Sequence, residues 1–236
     1  MVGCVIPLDD STVSLQLDPG HRHLEPEMLD WAEVEISTPN GAGRQVRLMV
    51  HENDPARQEL VASRGHETTS ASQMIRRLDL QDTIPVEPNI AAGYTIRTTN
   101  PEDPDDCRRV ADLLNEAFGR TSHTAAEYQW FTRQAPSFRQ YLDLAAVAPD
   151  GTFAAYVGIP YDGVNRRGIF EPVCTGPAHR RLGLGKALMR EGLRRLDSLG
   201  AVDVVVETGA AVTANALYDS LGFTDTVRGW FWRKIL

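Results

Sequence analysis

The sequence predicts a mixed α/β fold, a mostly antiparallel sheet with helices on its faces. Two stretches, Pro104–Phe118 and residues 183–199, repeat apolar side chains at helical spacing. Around them lie short alternating or wholly apolar runs of strand length. Two of those runs are joined by Pro149-Asp150-Gly151, a tight hairpin turn.

Taken in order, residues 94–97 alternate as a short strand. Pro104–Phe118 follows as a helix, with acidic residues in its first turn, where the helix dipole favours them. Val110, Leu113, Leu114 and Ala117 make its apolar face. A second helix covers Ala125–Gln134. Residues 142–148 and 152–159 are the two strands of the hairpin, and residues 168–175 are a third strand. The helix at 183–199 carries Leu184, Ala187, Leu188, Leu193 and Leu196 on one face, and Gly200 stops it. Residues 202–207 fit a buried strand. Residues 212–220 form another helix, which ends at Leu221-Gly222-Phe223, and 226–235 alternate to close the sheet.

A chain of 236 residues suits one large domain or two small ones. Asp82-Thr83-Ile84-Pro85-Val86-Glu87-Pro88-Asn89 has two prolines and little periodicity, as a linker should. The expected division is therefore a small domain at 1–82, a linker at 83–92 and a second domain at 93–236. The net charge of −8 is uneven: residues 1–92 hold 7 Arg against 15 acidic residues, and the remainder is balanced. An acidic first part argues against nucleic acid as the partner. The three cysteines, Cys4, Cys107 and Cys174, are too scattered for a disulfide framework or a metal site. No apolar run reaches the roughly 18 residues of a membrane span. Residues 1–10 lack a secretory signal's basic and apolar regions, so no membrane association and a cytoplasmic location are expected.

The first part echoes the second. Leu17-Asp18-Pro19-Gly20-His21-Arg22-His23-Leu24 resembles Thr175-Gly176-Pro177-Ala178-His179-Arg180-Arg181-Leu182, with Pro19 and Pro177 158 residues apart. Ala62-Ser63-Arg64-Gly65-His66 answers Asp219-Ser220-Leu221-Gly222-Phe223 at nearly the same offset. Two landmarks at one spacing point to a duplicated domain whose first copy is short.

The chemistry concentrates after residue 176. A strand ends, a helix begins, and glycines stand at 183 and 185, where they let the backbone approach a ligand. The first-turn N–H groups of a helix point outward and favour an anion. Arg180, Arg181 and Lys186 add positive charge. The combination suits a pyrophosphate, although glycines of this spacing also serve ordinary turns.

Arg180-x-x-Gly183-x-Gly185 resembles the Arg/Gln-x-x-Gly-x-Gly/Ala signature of the GNAT superfamily of acetyltransferases. Glu171-Pro172-Val173-Cys174-Thr175 is similar to that family's fourth strand. Asn215-Ala216-Leu217-Tyr218-Asp219-Ser220-Leu221-Gly222-Phe223 is similar to its later Leu-Tyr-x-x-x-Gly-Phe element. The resemblance covers residues 93–236 in order and spacing. It implies the GNAT fold, with a truncated, degenerate copy at the N-terminus in a tandem arrangement. It also implies acetyl-CoA as acyl donor, no metal, and transfer to a primary amine of a small molecule or peptide.

Residue by residue, the resemblance places Val173, Cys174 and Thr175 along the cofactor. Backbone groups of Val173 and Thr175 would pair with the pantetheine arm as a short extra strand. The amides of Arg180, Arg181, Leu182, Gly183, Leu184, Gly185 and Lys186 would cradle the pyrophosphate. Tyr218 would protonate the departing thiolate, or else serve as a packed aromatic between helix and sheet. Glu171 would take the proton from the acceptor ammonium, or else pair with a nearby arginine. Many family members carry an asparagine seven residues before the tyrosine, where this chain has Ala211. Asn215 lies nearby on a different face of the helix and is retained as the cofactor-binding candidate there.

The first copy has Glu25, Pro26 and Glu27 where the second has Gly183 to Gly185, and Val61 where the second has Tyr218. Two carboxylates would repel a pyrophosphate, so this copy is expected to bind no acyl-CoA. It is shorter than the degenerate half of many tandem GNAT proteins, and no substrate is carried over from them. Three readings follow: an acetyl-CoA-dependent N-acetyltransferase, a non-catalytic acyl-CoA-binding or regulatory protein, and a transferase with a different acyl donor. The acceptor would be set by the first two helices of the second domain, the loop at 161–167 and the tail Trp230-Phe231-Trp232. Those aromatics equally suit a core or a homodimer contact.

Overall fold

A computed structural model describes residues 2–41, 43–81 and 86–236. The elements run β1 (Gly3–Pro7), β2 (Thr12–Leu17), α1 (Glu25–Glu35), β3 (Thr38–Asn40), β4 (Gly43–His51), α2 (Pro55–Ser63) and β5 (Glu67–Asp79). They continue with β6 (Thr95–Thr98), α3 (Pro104–Phe118), α4 (Ala125–Gln134), β7 (Leu144–Val147), β8 (Phe153–Val157), β9 (Tyr161–Asp162), β10 (Arg167–Ile169) and β11 (Val173–Thr175). The last are α5 (Leu184–Ser198), β12 (Asp203–Thr208), α6 (Val212–Asp219) and β13 (Asp225–Ile235). This is the mixed, mostly antiparallel α/β architecture expected from the sequence, with parallel pairs only at β2–β4 and β10–β12 among the described pairings.

The chain forms two compact units. The first holds Met1–Ile75, Thr208–Ala210 and Thr226–Leu236, and the second holds Arg76–Glu207 and Ala211–Asp225. The final strand is expected in the second domain. It belongs instead to the first unit, because it pairs antiparallel with β4 from Gly229 opposite His51 to Ile235 opposite Gln45. Trp232 accordingly lies half-buried against the core of Val13, Leu15, Leu29, Leu48 and Val50. Of the expected linker, residues 82–85 lie outside the described residues. Residues 86–91 carry neither helix nor strand, and Ile90 and Ala91 pack on the core of the second unit.

In the second unit, β6, β7, β8 and β11 make an antiparallel sheet in the order β11-β8-β7-β6. α5 packs its apolar stripe, Leu184, Leu188, Leu193 and Leu196, into a core shared with Leu144, Val157, Phe170, Val204 and Phe223. α3 covers a second cluster with Cys107, Val110 and Leu113 against Phe153, Tyr156 and Cys174. The sequence encodes the helix ends locally. Asp103 caps α3 by accepting from the Asp105 N–H at 3.0 Å, with Pro104 at the first helical position. Gly119 ends it in the left-handed region at φ 63°. Thr124 and Glu127 form a reciprocal capping box on α4.

Two local expectations change. The strand expected at 168–175 is broken: β10 pairs parallel with β12, while β11 pairs antiparallel with β8. The break falls at Phe170 to Pro172. The Phe170 N–H still donates to Val205 O at 2.9 Å, but the Glu171 N–H donates to Gly158 O at 3.0 Å, so the chain changes neighbours within one residue. The loop expected at 161–167 is a hairpin between β9 and β10. Its turn is nucleated by Asp162, which accepts from the N–H groups of Val164 at 2.9 Å and Asn165 at 3.1 Å.

Asp203, buried at the start of β12, accepts two hydrogen bonds from Arg167 at 2.7 and 2.6 Å and one from Arg77 at 2.6 Å. The Arg167 guanidinium holds its carboxyl below the usual carboxylate range. Burial opposes this and Arg77 adds to it. A depressed folded-state pKa stabilises the fold above the unfolded value, about 3.9, and the contribution is lost as pH falls through the folded value. Denaturant unfolding of Asp203→Asn between pH 6 and 2 should show lower stability at pH 6. It should also show a shallower loss below pH ~4 than the unmodified chain.

Candidate functional site

β11 is the end strand of its sheet. Its hydrogen bonds to β8 use alternate residues: Pro172 O accepts from Gly158 N–H at 3.1 Å, and Gly176 N–H donates to Ala154 O at 2.9 Å. By the antiparallel alternation, Cys174 also faces β8, and the backbone groups of Val173 and Thr175 point to the open edge. Cys174 buries its side chain among Tyr156, Phe153 and Leu113, and burial pushes its thiol up to about 12, so it is a packing residue and no nucleophile.

From β11 the chain passes through a 3-10 turn at Pro177–His179 into the glycine loop. Arg181 and Gly183 both sit in the left-handed region, at φ 67° and 75°. Gly183 is the N-cap of α5, no side chain caps that end, and the first turn holds no acidic residue. The first N–H groups of α5 are thus left to a ligand or to water. Arg180 bends over the strand end, donating from Nε to Thr175 O at 3.4 Å and from Nη2 to Ala117 O at 3.3 Å. Farther along α5, Arg194 and Arg195 are both paired with Glu191. Among the described residues, Arg180, Arg181, Lys186 and Arg190 have no carboxylate partner. The positive end of the helix dipole and these uncompensated cations converge on one loop.

The open edge and the loop border a cleft of about 800 Å³. Val173, Cys174, Thr175, Arg180, Arg181, Gly183, Leu184, Gly185, Lys186 and Tyr218 line it, so most residues singled out in the sequence meet there. Leu182 borders instead an adjoining depression of about 300 Å³ with Asn89, Ile90 and Arg190. Neither Asn215 nor Glu171 is among the residues that line this cleft. The Asn215 amide donates to Ala211 O at 3.0 Å, and its own carbonyl groups accept from Arg76 Nη1 at 3.1 and 3.2 Å. Ala211 lines the cleft where the family's asparagine is expected, with Thr213, Ala214 and Leu217 beside it.

Tyr218 is buried, lies edge-on to Phe223 at 6.0 Å between centroids, and still reaches the cleft wall. The packed aromatic that the sequence offers as one alternative is found, and the residue also borders the cleft. Burial, with help from Glu171 and against Arg76, pushes its phenol up to about 12, so it keeps its proton at neutral pH. Glu171 has no ion-pair partner among the described residues. Solvent reaches it, yet the surrounding protein strips enough hydration to raise its pKa. The Glu207 carboxylate raises it further, while Arg120 opposes both.

Arg76 and Phe118 were missed in the sequence. Arg76, buried at the end of β5, donates to Asn215 and Asp219, and to Phe223 O at 2.7 Å, and so fixes the C-terminal turn of α6 that carries Tyr218. Phe118, the last residue of α3, stands in the cleft wall with Ala117. Neither belongs to a motif, and only the contact with a distant segment reveals the role.

The comparisons with known proteins agree with this geometry. A family model described as "Acetyltransferase (GNAT) family" matches residues 107–223. A mycothiol acetyltransferase from Kineococcus radiotolerans is 32% identical over 219 residues, 89% of this chain and 68% of that protein. A GCN5-related N-acetyltransferase from Sphaerobacter thermophilus superposes with TM-score 0.76 at 21% identity, over 98% of this chain and 75% of its own. A tandem GNAT protein from the clavulanic acid biosynthesis pathway gives TM-score 0.73 at 20% identity, over 99% and 78%.

The two loop glycines should separate on substitution. At Gly183 a Cβ meets nothing within 4 Å, but the left-handed backbone at φ 75° penalises any L side chain. Gly183→Ala should therefore cost about 1–2 kcal/mol in chemical denaturation. At Gly185 a Cβ would stand at an ordinary 3.5 Å from Thr175 Oγ1. Gly185→Ala, inside the first turn of α5, should leave stability unchanged or raise it by up to about 1 kcal/mol.

Proposed function

Because the chain belongs to the GNAT family of acetyltransferases, we propose that it transfers acetyl from acetyl-CoA to a primary amine by direct attack. The acceptor is a small molecule or peptide. The observation that carries this reading is the continuity of one cleft. An unpaired strand edge at Val173 and Thr175 leads to an uncapped, cation-flanked helix start at Gly183, and Tyr218 stands in the wall between. A pantetheine arm has amide groups that complete an open strand edge, and its pyrophosphate suits the N–H groups of Leu184, Gly185 and Lys186.

In this reading the acceptor ammonium first gives its proton to Glu171, directly or through water, and becomes nucleophilic. The nitrogen attacks the thioester carbonyl, polarised by the backbone N–H groups of β11. As the tetrahedral adduct collapses, the C–S bond breaks and the thiolate is met by the Tyr218 hydroxyl. The second proton of the former ammonium restores the balance, leaving amide and free CoA. Tyr218, protonated until about pH 12, sets no limb of a pH profile near neutrality, so an acid limb reports Glu171.

The first unit fits a degenerate copy that holds no cofactor. β2, α1, β4, α2 and β5 repeat the order of β11, α5, β12, α6 and β13 at the spacing found in the sequence. At its loop, buried Glu25 accepts from Arg57 at 2.7 Å, and Asp54 accepts from Arg22 at 2.7 Å. Internal carboxylates thus take the cations that an anion would need. A second reading, a non-catalytic acyl-CoA-binding protein, is favoured by Ala211 and by the engagement of Asn215 with Arg76.

Isothermal calorimetry with acetyl-CoA should give one site per chain, with affinity in the micromolar to sub-millimolar range usual for substrates, about 1 μM–1 mM. Silence at millimolar cofactor would end both readings. Gly183→Glu should abolish the heat. Thiol release with a panel of amines separates enzyme from binder. In the enzyme, Tyr218→Phe should lower turnover by about 10²-fold with affinity retained.

A further inference from the structure

The depression beside the cleft is not accounted for by a pantetheine arm and a pyrophosphate. Its volume is about 300 Å³, at the lower end of small-molecule sites. One side is the glycine loop and α5, with Leu182, Gly183, Lys186 and Arg190. The other is Asn89, Ile90 and Ala91, in the stretch that the sequence marks as linker. That stretch is tied to the second unit. Ile90 and Ala91 pack on the core that α5 shares, and the Tyr94 N–H donates to Ala91 O at 3.1 Å. The Tyr94 hydroxyl in turn meets Nδ1 of His179, just before the glycine loop, at 2.9 Å. Gly183 and Lys186 border both hollows, so the depression continues the cleft past the start of α5.

Lys186 and Arg190 are four residues apart on α5 and so share one face of the helix. Like charges at that spacing oppose helix stability. One turn on, the same helix settles such crowding internally, because Glu191 accepts hydrogen bonds from both Arg194 and Arg195. Lys186 and Arg190 have no carboxylate partner among the described residues. Beside them Leu182 is 44% exposed, an apolar surface at the rim. Two unmatched cations next to a small apolar wall suit a flat base that carries a phosphate. The opposite border of the cleft, at α6, presents Ala211, Thr213, Ala214 and Leu217 and no cation.

We propose that the depression takes the nucleotide end of acetyl-CoA, with Lys186 and Arg190 on its 3′-phosphate and Leu182, Ile90 and Ala91 against the adenine. The inference rests on the acetyl-CoA part of the proposed function and adds a selection rule to it. The pyrophosphate lies on the amides of α5, the pantetheine arm leaves along β11, and the nucleotide leaves the other way. A phosphate monoester carries about two negative charges at neutral pH. Cations without internal partners meet it without giving up an ion pair. The site thus tells CoA from dephospho-CoA, which lacks only this phosphate.

Calorimetry of the full chain with CoA and with dephospho-CoA, at one fixed salt concentration, tests the assignment. The unmodified chain should bind CoA about 10-fold more tightly than dephospho-CoA, as one well-made charged contact allows. Arg190→Gln should cut that ratio by about 5-fold, chiefly by weakening CoA, and Lys186→Gln should act in the same direction. Arg190→Lys keeps the charge and should keep most of the ratio. A purely structural role for Arg190 would weaken both ligands alike and leave the ratio in place. Equal affinity of the unmodified chain for the two ligands would overturn the proposal, and so would a ratio that Arg190→Gln leaves unmoved. Binding of neither ligand would overturn instead the acetyl-CoA reading on which it rests.

Discussion

The site depends on one change of neighbour. Phe170 still bonds to β12, and Glu171 bonds to the end of β8. The chain makes this change because Phe170 is wholly buried and anchored in the core beside Val204 and Val206, while the next residues must reach a different sheet. The consequence is a strand, β11, with one edge paired and the other open. An unpaired strand edge is ordinarily a liability. Here it opens onto a cleft and leads straight to the start of α5, so the same feature aligns an open edge with an uncapped helix end. Had residues 168–175 formed one unbroken strand beside β12, the open edge would not exist.

Electrostatics divides the two units of the chain. Most arginines are matched by carboxylates: Arg57 with Glu25, Arg97 with Asp106, Arg167 with Asp203. Among the described residues the cations around Gly183 are left without a carboxylate partner, which disposes that surface toward an anion from outside. At the corresponding loop of the first unit the matching is internal, with Glu25 buried against Arg57. A buried carboxylate in place of a glycine both fills the space and cancels the charge. The two loops therefore differ in whether their cations are matched from within the chain.

The polar residues about Tyr218 act at different ranges. Arg76 works by direct hydrogen bonds, fixing the turn that ends α6. Glu171 works through space, adding to the burial that keeps the phenol protonated. Asn215, within the same turn, is spent on Arg76 and Ala211 and is lost to the cleft. A motif match alone could not reveal these roles, because Arg76, Glu171 and Asn215 lie on different segments of the chain and act on one another only in the fold.

The sequence by itself determined the helices and the glycine loop that opens α5. Asp103, Pro104 and Gly119 bound α3, Thr124 and Glu127 start α4, and Gly183 and Gly185 open α5, all through interactions within a few residues. Local hydrogen bonds and backbone preferences are written in local sequence, so these elements were legible. The break between β10 and β11, the transfer of β13 to the first unit and the reach of Arg76 to Asn215 were decided only by the tertiary structure. Each depends on which distant backbone offers a partner. A strand's apolar pattern says that it will be buried; it does not say against which neighbour.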